Sequence, residues 1–142
     1  MSELLWGVKA SFRQYVRQTG GTEEPHGKAT RREDRFAFEP AGDGLRFEGE
    51  VRFQAHGGML AVTVADPWIV DGMLSVVDTD YLPDRTHRVD IARLGPVTPA
   101  EGGRAEAIPY LTTLGVRLLG DVYSVQTEMD PVSFPLERPM IT

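Results

Sequence analysis

Hydrophobic positions along the chain follow two different periods, and the change from one to the other divides it. Leu5, Val8, Phe12 and Val16 recur at spacings of three and four, which is the repeat of one helical face. With Ser2 placed as an N-cap and Glu3 in the first turn, the pattern predicts a helix over residues 4 to 18, ended by Gly20-Gly21. The polar stretch from Thr22 to Arg35, which contains Pro25 and Gly27, reads as an exposed loop or ragged edge. From Arg35 onward the period falls to two. Phe36-Ala37-Phe38-Glu39 is a short strand closed by Pro40 and Gly42-Asp43-Gly44, and Leu45 to Ala55 follows as one longer strand. In that strand Phe47, Val51 and Phe53 share one parity, while Arg52, Gln54 and the following His56 share the other.

Gly57-Gly58 then predicts a tight reversal into Met59 to Ala65, where Leu60, Val62 and Val64 alternate with Ala61 and Thr63. A second reversal, at Asp71-Gly72, joins Trp68–Val70 to Met73–Asp78. Tyr81 to Arg88 is polar and loop-like, His87 to Leu94 alternates again, and Gly95 to Gly103 is a turn-rich connection. Leu111 to Leu119 fits either a strand or a helical turn, and Val122 to Thr127 a further strand edge. Pro131 and Pro135 confine Asp130 to Leu136 to an edge strand or an extended tail, because proline cannot donate to a ladder. There is no internal repeat and no linker. Residues 1–142 therefore read as one domain, mostly β within the α+β class: an antiparallel meander or sandwich-like sheet carrying one N-terminal helix.

Composition narrows the function classes. A chain of 142 residues with 41% hydrophobic and 25% charged residues can bury a core and still hold one ligand pocket. The formal charge of -6 repels a phosphate backbone. The one basic cluster, Lys28, Arg31 and Arg32, is interrupted by Glu33 and Asp34, so nucleic acid is not expected as a partner. The absence of cysteine excludes disulfides, thiolate metal sites and thiol nucleophiles. No stretch is long and apolar enough to span a membrane, and the start, Met1 to Trp6, has no basic segment leading into an apolar run. As written, the chain reads as cytoplasmic.

Few residues offer chemistry. Ser11 and Tyr15 stand four apart and share a helical face at the edge of the apolar stripe. A tyrosine so placed is commonly an anchor at the rim of a core. His56 closes a strand immediately before Gly57-Gly58, where a histidine is commonly exposed or structurally hydrogen-bonded. His26 lies in the polar loop and His87 begins a strand among charges, and no pair of histidines has a metal-ligand spacing. No serine stands in a Gly-x-Ser-x-Gly turn, and the glycine pairs do not precede helices as phosphate cradles do. From the residues alone, the chain is a β-rich domain with a candidate Tyr/His site.

Three segments carry a more specific likeness. Trp6-Gly7-Val8-Lys9-Ala10-Ser11-Phe12-Arg13-Gln14-Tyr15, then Val51-Arg52-Phe53-Gln54-Ala55-His56-Gly57-Gly58-Met59-Leu60 with Asp66-Pro67, and finally Leu111-Thr112, Tyr123 and Asp130-Pro131-Val132-Ser133-Phe134 resemble, in order, the motifs of HtaA-type domains. These are domains of actinobacterial haem-uptake proteins that are usually secreted or surface-anchored. The resemblance implies a haem-binding protein for haem transfer, storage or buffering. Tyr15 would be the axial ligand to ferric iron, assisted by Ser11 and His56. A free phenol ionises only near about pH 10, so phenolate ligation needs Fe(III) and a hydrogen-bonding neighbour, which a histidine supplies. Proximity in sequence nominates Phe53, Met59 and Trp68 as walls. Two features depart from the family pattern: Gln54-Ala55 stands where a glycine commonly precedes the histidine, and the signal peptide, repeated domains and membrane anchor are absent.

The resemblance further implies haem donor or acceptor proteins as partners, and an apolar pocket mouth through which two copies can pair as a homodimer. Catalysis is not expected. The competing readings are a cytoplasmic enzyme or carrier that reuses the HtaA fold for another flat hydrophobic molecule, and a structural domain in which Tyr15 and His56 merely pack.

Overall fold

The structure, a computed structural model, describes residues 2–136. In chain order the strands are β1 (Leu4–Trp6), β2 (Thr22–His26), β3 (Thr30–Arg32), β4 (Arg35–Pro40), β5 (Leu45–Glu48), β6 (Glu50–Ala55), β7 (Leu60–Ala65), β8 (Trp68–Val70), β9 (Met73–Val77), β10 (Arg88–Leu94), β11 (Thr98–Ala100), β12 (Arg104–Ala107), β13 (Pro109–Leu111) and β14 (Val132–Pro135). Helix α1 (Ala10–Gln18) follows β1, and the short α2 (Thr113–Leu118) follows β13. Among the described residues no helix is long and apolar enough to cross a membrane.

Every strand pairing is antiparallel. Eleven strands form a long sheet in the order β11-β12-β14-β1-β4-β5-β8-β9-β10-β13, with β3 attached to β4, and β2-β6-β7 form a second, smaller sheet. The core lies where the two apolar faces meet. Phe36 of the long sheet and Phe53 of the small one pack edge to face with ring centroids 6.1 Å apart, and Phe12 of α1 packs on Phe53 at 5.3 Å. All three rings are buried, together with Trp6, Phe38, Phe47, Val51, Val64, Leu74 and Ile91. The alternation read from the sequence is thus the inside-outside alternation of these strands.

Several boundaries differ from the sequence reading. The helix does not begin at residue 4: Leu4–Trp6 is a strand held between β4 and β14, and Lys9, not Ser2, is the N-cap. Val8 turns the chain at φ 68, so only Phe12 and Val16 of the predicted stripe belong to the helical face. Residues 45 to 55 form two strands. Gly49, at φ 125 and with no room for a Cβ beside Ala29, breaks the run and sends β5 and β6 to different sheets. The polar stretch after Gly21 supplies β2 and β3, which pair through their backbones, and the sheltered Glu23 carboxylate of β2 is held by Arg17 and Arg31. Gly95 to Gly103 likewise holds β11. Residues 122 to 127 form no strand, and only Val125-Gln126 among them is a turn. Finally, Val132–Pro135 is no edge: it lies between β12 and β1, which is possible because Pro131 precedes the strand and Pro135 is its last residue, opposite Arg104 at the end of the ladder.

Candidate functional site

Helix α1 is short, with no side-chain cap of its own, and its first turn is held from the far end of the sequence. Asp130 accepts the Ala10 N–H through Oδ1 at 2.8 Å and the Arg13 guanidinium through Oδ2 at 3.0 Å. Its carbonyl accepts the Trp6 indole N–H at 2.9 Å, and its own N–H donates to the Val8 carbonyl at 3.0 Å. Arg13, buried to 5% exposure, also donates through Nε to the Gly7 carbonyl at 2.8 Å. A Cβ at Gly7 would come 2.6 Å from Asp130 Oδ2, so only glycine admits this carboxylate. A carboxylate at a helix N-terminus satisfies an orphan N–H and opposes the helix dipole, and here it also neutralises a buried guanidinium.

From the helix so fixed, Ser11 and Tyr15 project on one face. The tip of the β6–β7 hairpin brings His56 to them: Tyr15 Oη and His56 Nε2 are 2.7 Å apart, with ring centroids 5.8 Å apart. His56 itself sits at φ 55, in the left-handed region, and the turn residues His56–Gly58 are exposed. Ser11 Oγ lies 3.0 Å from the hydroxyl of Tyr123, whose ring carries the Lys9 ammonium at 4.9 Å. Between these groups opens a cleft of about 390 Å³. Phe12, Leu60 and Leu119 give it an apolar lining, and Gly120, Val122 and Tyr123 form the wall opposite the helix. Tyr15 is 46% exposed and Val122 75% exposed, so the phenol opens into a pocket with an apolar rim and is not a packed core residue.

The structure therefore brings Ser11, Tyr15 and His56 together, and it does not bring the nominated wall residues to them. Phe53 is fully buried beneath Phe12, so it supports the floor of the cleft without lining it. Met59 points to solvent at the hairpin tip, 91% exposed. Trp68 lies in the long sheet, between the guanidiniums of Arg88 at 3.8 Å and Arg46 at 4.6 Å, where burial pushes Arg88 down to about 10. His26 and His87 are elsewhere, beside Glu24 and stacked on Tyr81 respectively. The wall formed by Leu119, Val122 and Tyr123 was missed as lining. Its one signal in sequence was Tyr123, as part of the closing motif.

The HtaA family model matches residues 1–135. This chain belongs to the HtaA family. No curated protein matches it, but solved structures share its fold. The N-terminal domain of HtaA from Corynebacterium glutamicum superposes with a TM-score of 0.74 at 21% identity, over 96% of this chain and 97% of that one. The C-terminal domain of the same protein gives 0.68 at 22% identity, over 94% of each chain. The haem-binding protein HtaB from the same organism gives 0.72 at 17% identity, over 94% of this chain and 90% of that one. In this HtaA-family chain the first motif builds the Asp130-anchored helix, and the second builds the hairpin tip that meets it.

Proposed function

We propose that this HtaA-family domain binds haem in the cleft, with Tyr15 as the axial ligand to ferric iron and His56 as the partner that favours the phenolate. The observation that carries the proposal is the 2.7 Å contact between Tyr15 Oη and His56 Nε2 at the mouth of an apolar cleft. A phenol becomes an effective ligand when a neighbour takes or shares its proton, and an imidazole within hydrogen-bond distance is suited to that role. The residues also fit the shape and polarity of the group. Phe12, Leu60, Leu119 and Val122 offer apolar surface to a macrocycle, while Ser11, Tyr123 and Lys9 form a polar, cationic end suited to a carboxylate. HtaB, a haem-binding protein of the same fold, supports the same reading. Haem would supply a ferric centre that prefers an anionic oxygen ligand.

Tyr15 is half exposed and the cleft open, as transfer to or from a partner, storage or buffering requires. Titration of the protein with ferric hemin tests the proposal: saturation near one equivalent is expected, with the charge-transfer absorption of phenolate-ligated iron. Tyr15→Phe keeps the ring and removes the ligand atom, so it is expected to lose that band and most of the affinity. Reduction with dithionite should loosen retention. Hemin binding by Tyr15→Phe equal to the parent would overturn the ligand assignment. Failure of the parent to bind hemin would leave the apolar cleft to another flat hydrophobic molecule.

A further inference from the structure

A second cleft, of about 460 Å³, opens at the other end of α2 and shares no lining residue with the first. Arg93 of β10 and Tyr110 of β13 are direct partners across the ladder, so their side chains rise from the same face of the sheet. Thr113, in the first turn of α2, and Gln126 line the same cleft. Gln126 is held at φ 71, with its N–H donated to the Leu111 carbonyl at 2.7 Å, so the position of its backbone is fixed. Leu111 and Val125 complete the walls with apolar surface. The side chains of Arg93, Tyr110, Thr113 and Gln126 make no hydrogen bond or ion pair with any described residue. Of the other guanidiniums, Arg13 pairs with Asp130, Arg17 and Arg31 with Glu23, Arg32 with Glu3, and Arg52 and Arg85 with Glu50, while Arg35, Arg46 and Arg117, like Arg93, have no ion pair among the described residues.

We propose that this cleft is a second ligand site, for a small amphipathic carboxylate. A planar guanidinium matches a carboxylate with two parallel N–H donors, and the Thr113 hydroxyl and Gln126 amide add neutral donors beside it. The ring of Tyr110, with Leu111 and Val125, receives an apolar or aromatic body. One cation among apolar walls suits a monoanion with a hydrophobic part, whereas a polyphosphate needs several cations. The volume falls in the range of small-molecule pockets, about 300–1,000 Å³.

The test is a titration of the isotopically labelled full chain, followed by NMR, with sodium benzoate, with neutral benzamide and with inorganic phosphate. Benzoate is expected to give saturable shifts of the amides of Arg93, Leu111, Thr113, Val125 and Gln126, with benzamide at least about tenfold weaker and phosphate without effect. Loss of a charge-assisted pair costs at least about tenfold in affinity, so Arg93→Gln should weaken benzoate by that much and Arg93→Lys by less. Arg93 is exposed, so both variants are expected to fold and to bind hemin as the parent does, which keeps this test independent of the first cleft. No saturable shift with millimolar benzoate, equal affinity for benzamide, tighter binding of phosphate, or an Arg93→Gln variant that binds benzoate like the parent would each overturn the proposal.

Discussion

Helix α1 and the tip of the β6–β7 hairpin contribute one residue each to the same hydrogen bond, and they are built in opposite ways. The helix is tied at its start by a buried guanidinium, a carboxylate from the far end of the sequence and an indole N–H, all meeting at Asp130. The tip has nothing comparable. His56, Gly57 and Gly58 all lie at positive φ, a Cβ at either glycine would meet nothing within 4 Å, and the turn is closed by a single backbone bond of 3.2 Å from the Met59 N–H to the His56 carbonyl. The hairpin is instead held at its root, where Glu50 accepts from Arg52 at 2.7 Å and from Arg85 at 3.1 Å. The difference shows how the fold divides the work. The proposed ligand atom rides on the anchored element, and its proton partner rides on the one that can yield.

Substitutions at the two regions should separate binding from stability. Tyr15→Ala has the largest expected effect on binding. Removing the ligand should lower hemin affinity by at least about a hundredfold, or about 2.7 kcal/mol, while the thermal midpoint stays near that of the parent because Tyr15 is outside the core. Hemin titration and a circular dichroism melt read the two quantities. If the melt collapses as well, Tyr15 is a packing residue.

Asp130→Ala should show the inverse. It strands the Arg13 charge and the Ala10 N–H together, and breaking a buried pair costs about 3 kcal/mol, measurable as a lower urea midpoint with an unchanged slope. A loss below about 0.5 kcal/mol, the range of ordinary surface changes, would show that the helix is not anchored there. His56→Ala comes next. Haem should remain bound but leave about tenfold faster, since loss of a hydrogen-bond partner behind a ligand typically costs that much; competition with an apoglobin measures the rate. The melt should move by about 2 °C or less, because the tip carries little of the fold.

The smallest effect lies at the root of the hairpin. Burial alone would raise the Glu50 carboxyl, but the hydrogen bonds and charges of Arg52 and Arg85 outweigh it and hold the group below its ordinary 4.5. A carboxyl depressed by folding stabilises the fold fully above its unfolded value, and that contribution is lost as pH falls through the folded value. Glu50→Gln should therefore cost about 0.5–1 kcal/mol at pH 7 and make stability fall less steeply with acid below about pH 4.5. Identical acid limbs for variant and parent would remove Glu50 from this role.

Much of the architecture was legible in the chain. The shared parity of Val51 and Phe53, the alternation of Leu60, Val62 and Val64, and the reversals at Gly57-Gly58 and Asp71-Gly72 all reappear as strand faces and hairpins. These features are local: alternation marks which face is buried, and residues able to adopt positive φ mark where the chain turns. The motifs Trp6 to Tyr15 and Val51 to Leu60 likewise contained the three residues that meet in the cleft. Their resemblance to a family, rather than any spacing, set them apart from other tyrosines and histidines.

What local pattern could not determine was partnership. Leu4 to Trp6 scans as the start of a helix, yet β4 and β14 offer ladders on both sides and draw it into the sheet. Asp130 to Leu136 scans as an edge, yet the residues between its prolines find β12 and β1. The cleft wall of Leu119, Val122 and Tyr123 reaches Ser11 from more than a hundred residues away, and Phe53, close to His56 in sequence, turns inward. Sequence by itself determined which faces are apolar, where the chain reverses and which family it resembles, because each depends on residues a few positions apart or on motifs kept in order. Only the tertiary structure decided which backbone donors find which acceptors and which side chains share a pocket, because those contacts join segments whose separation along the chain carries no information about their separation in space.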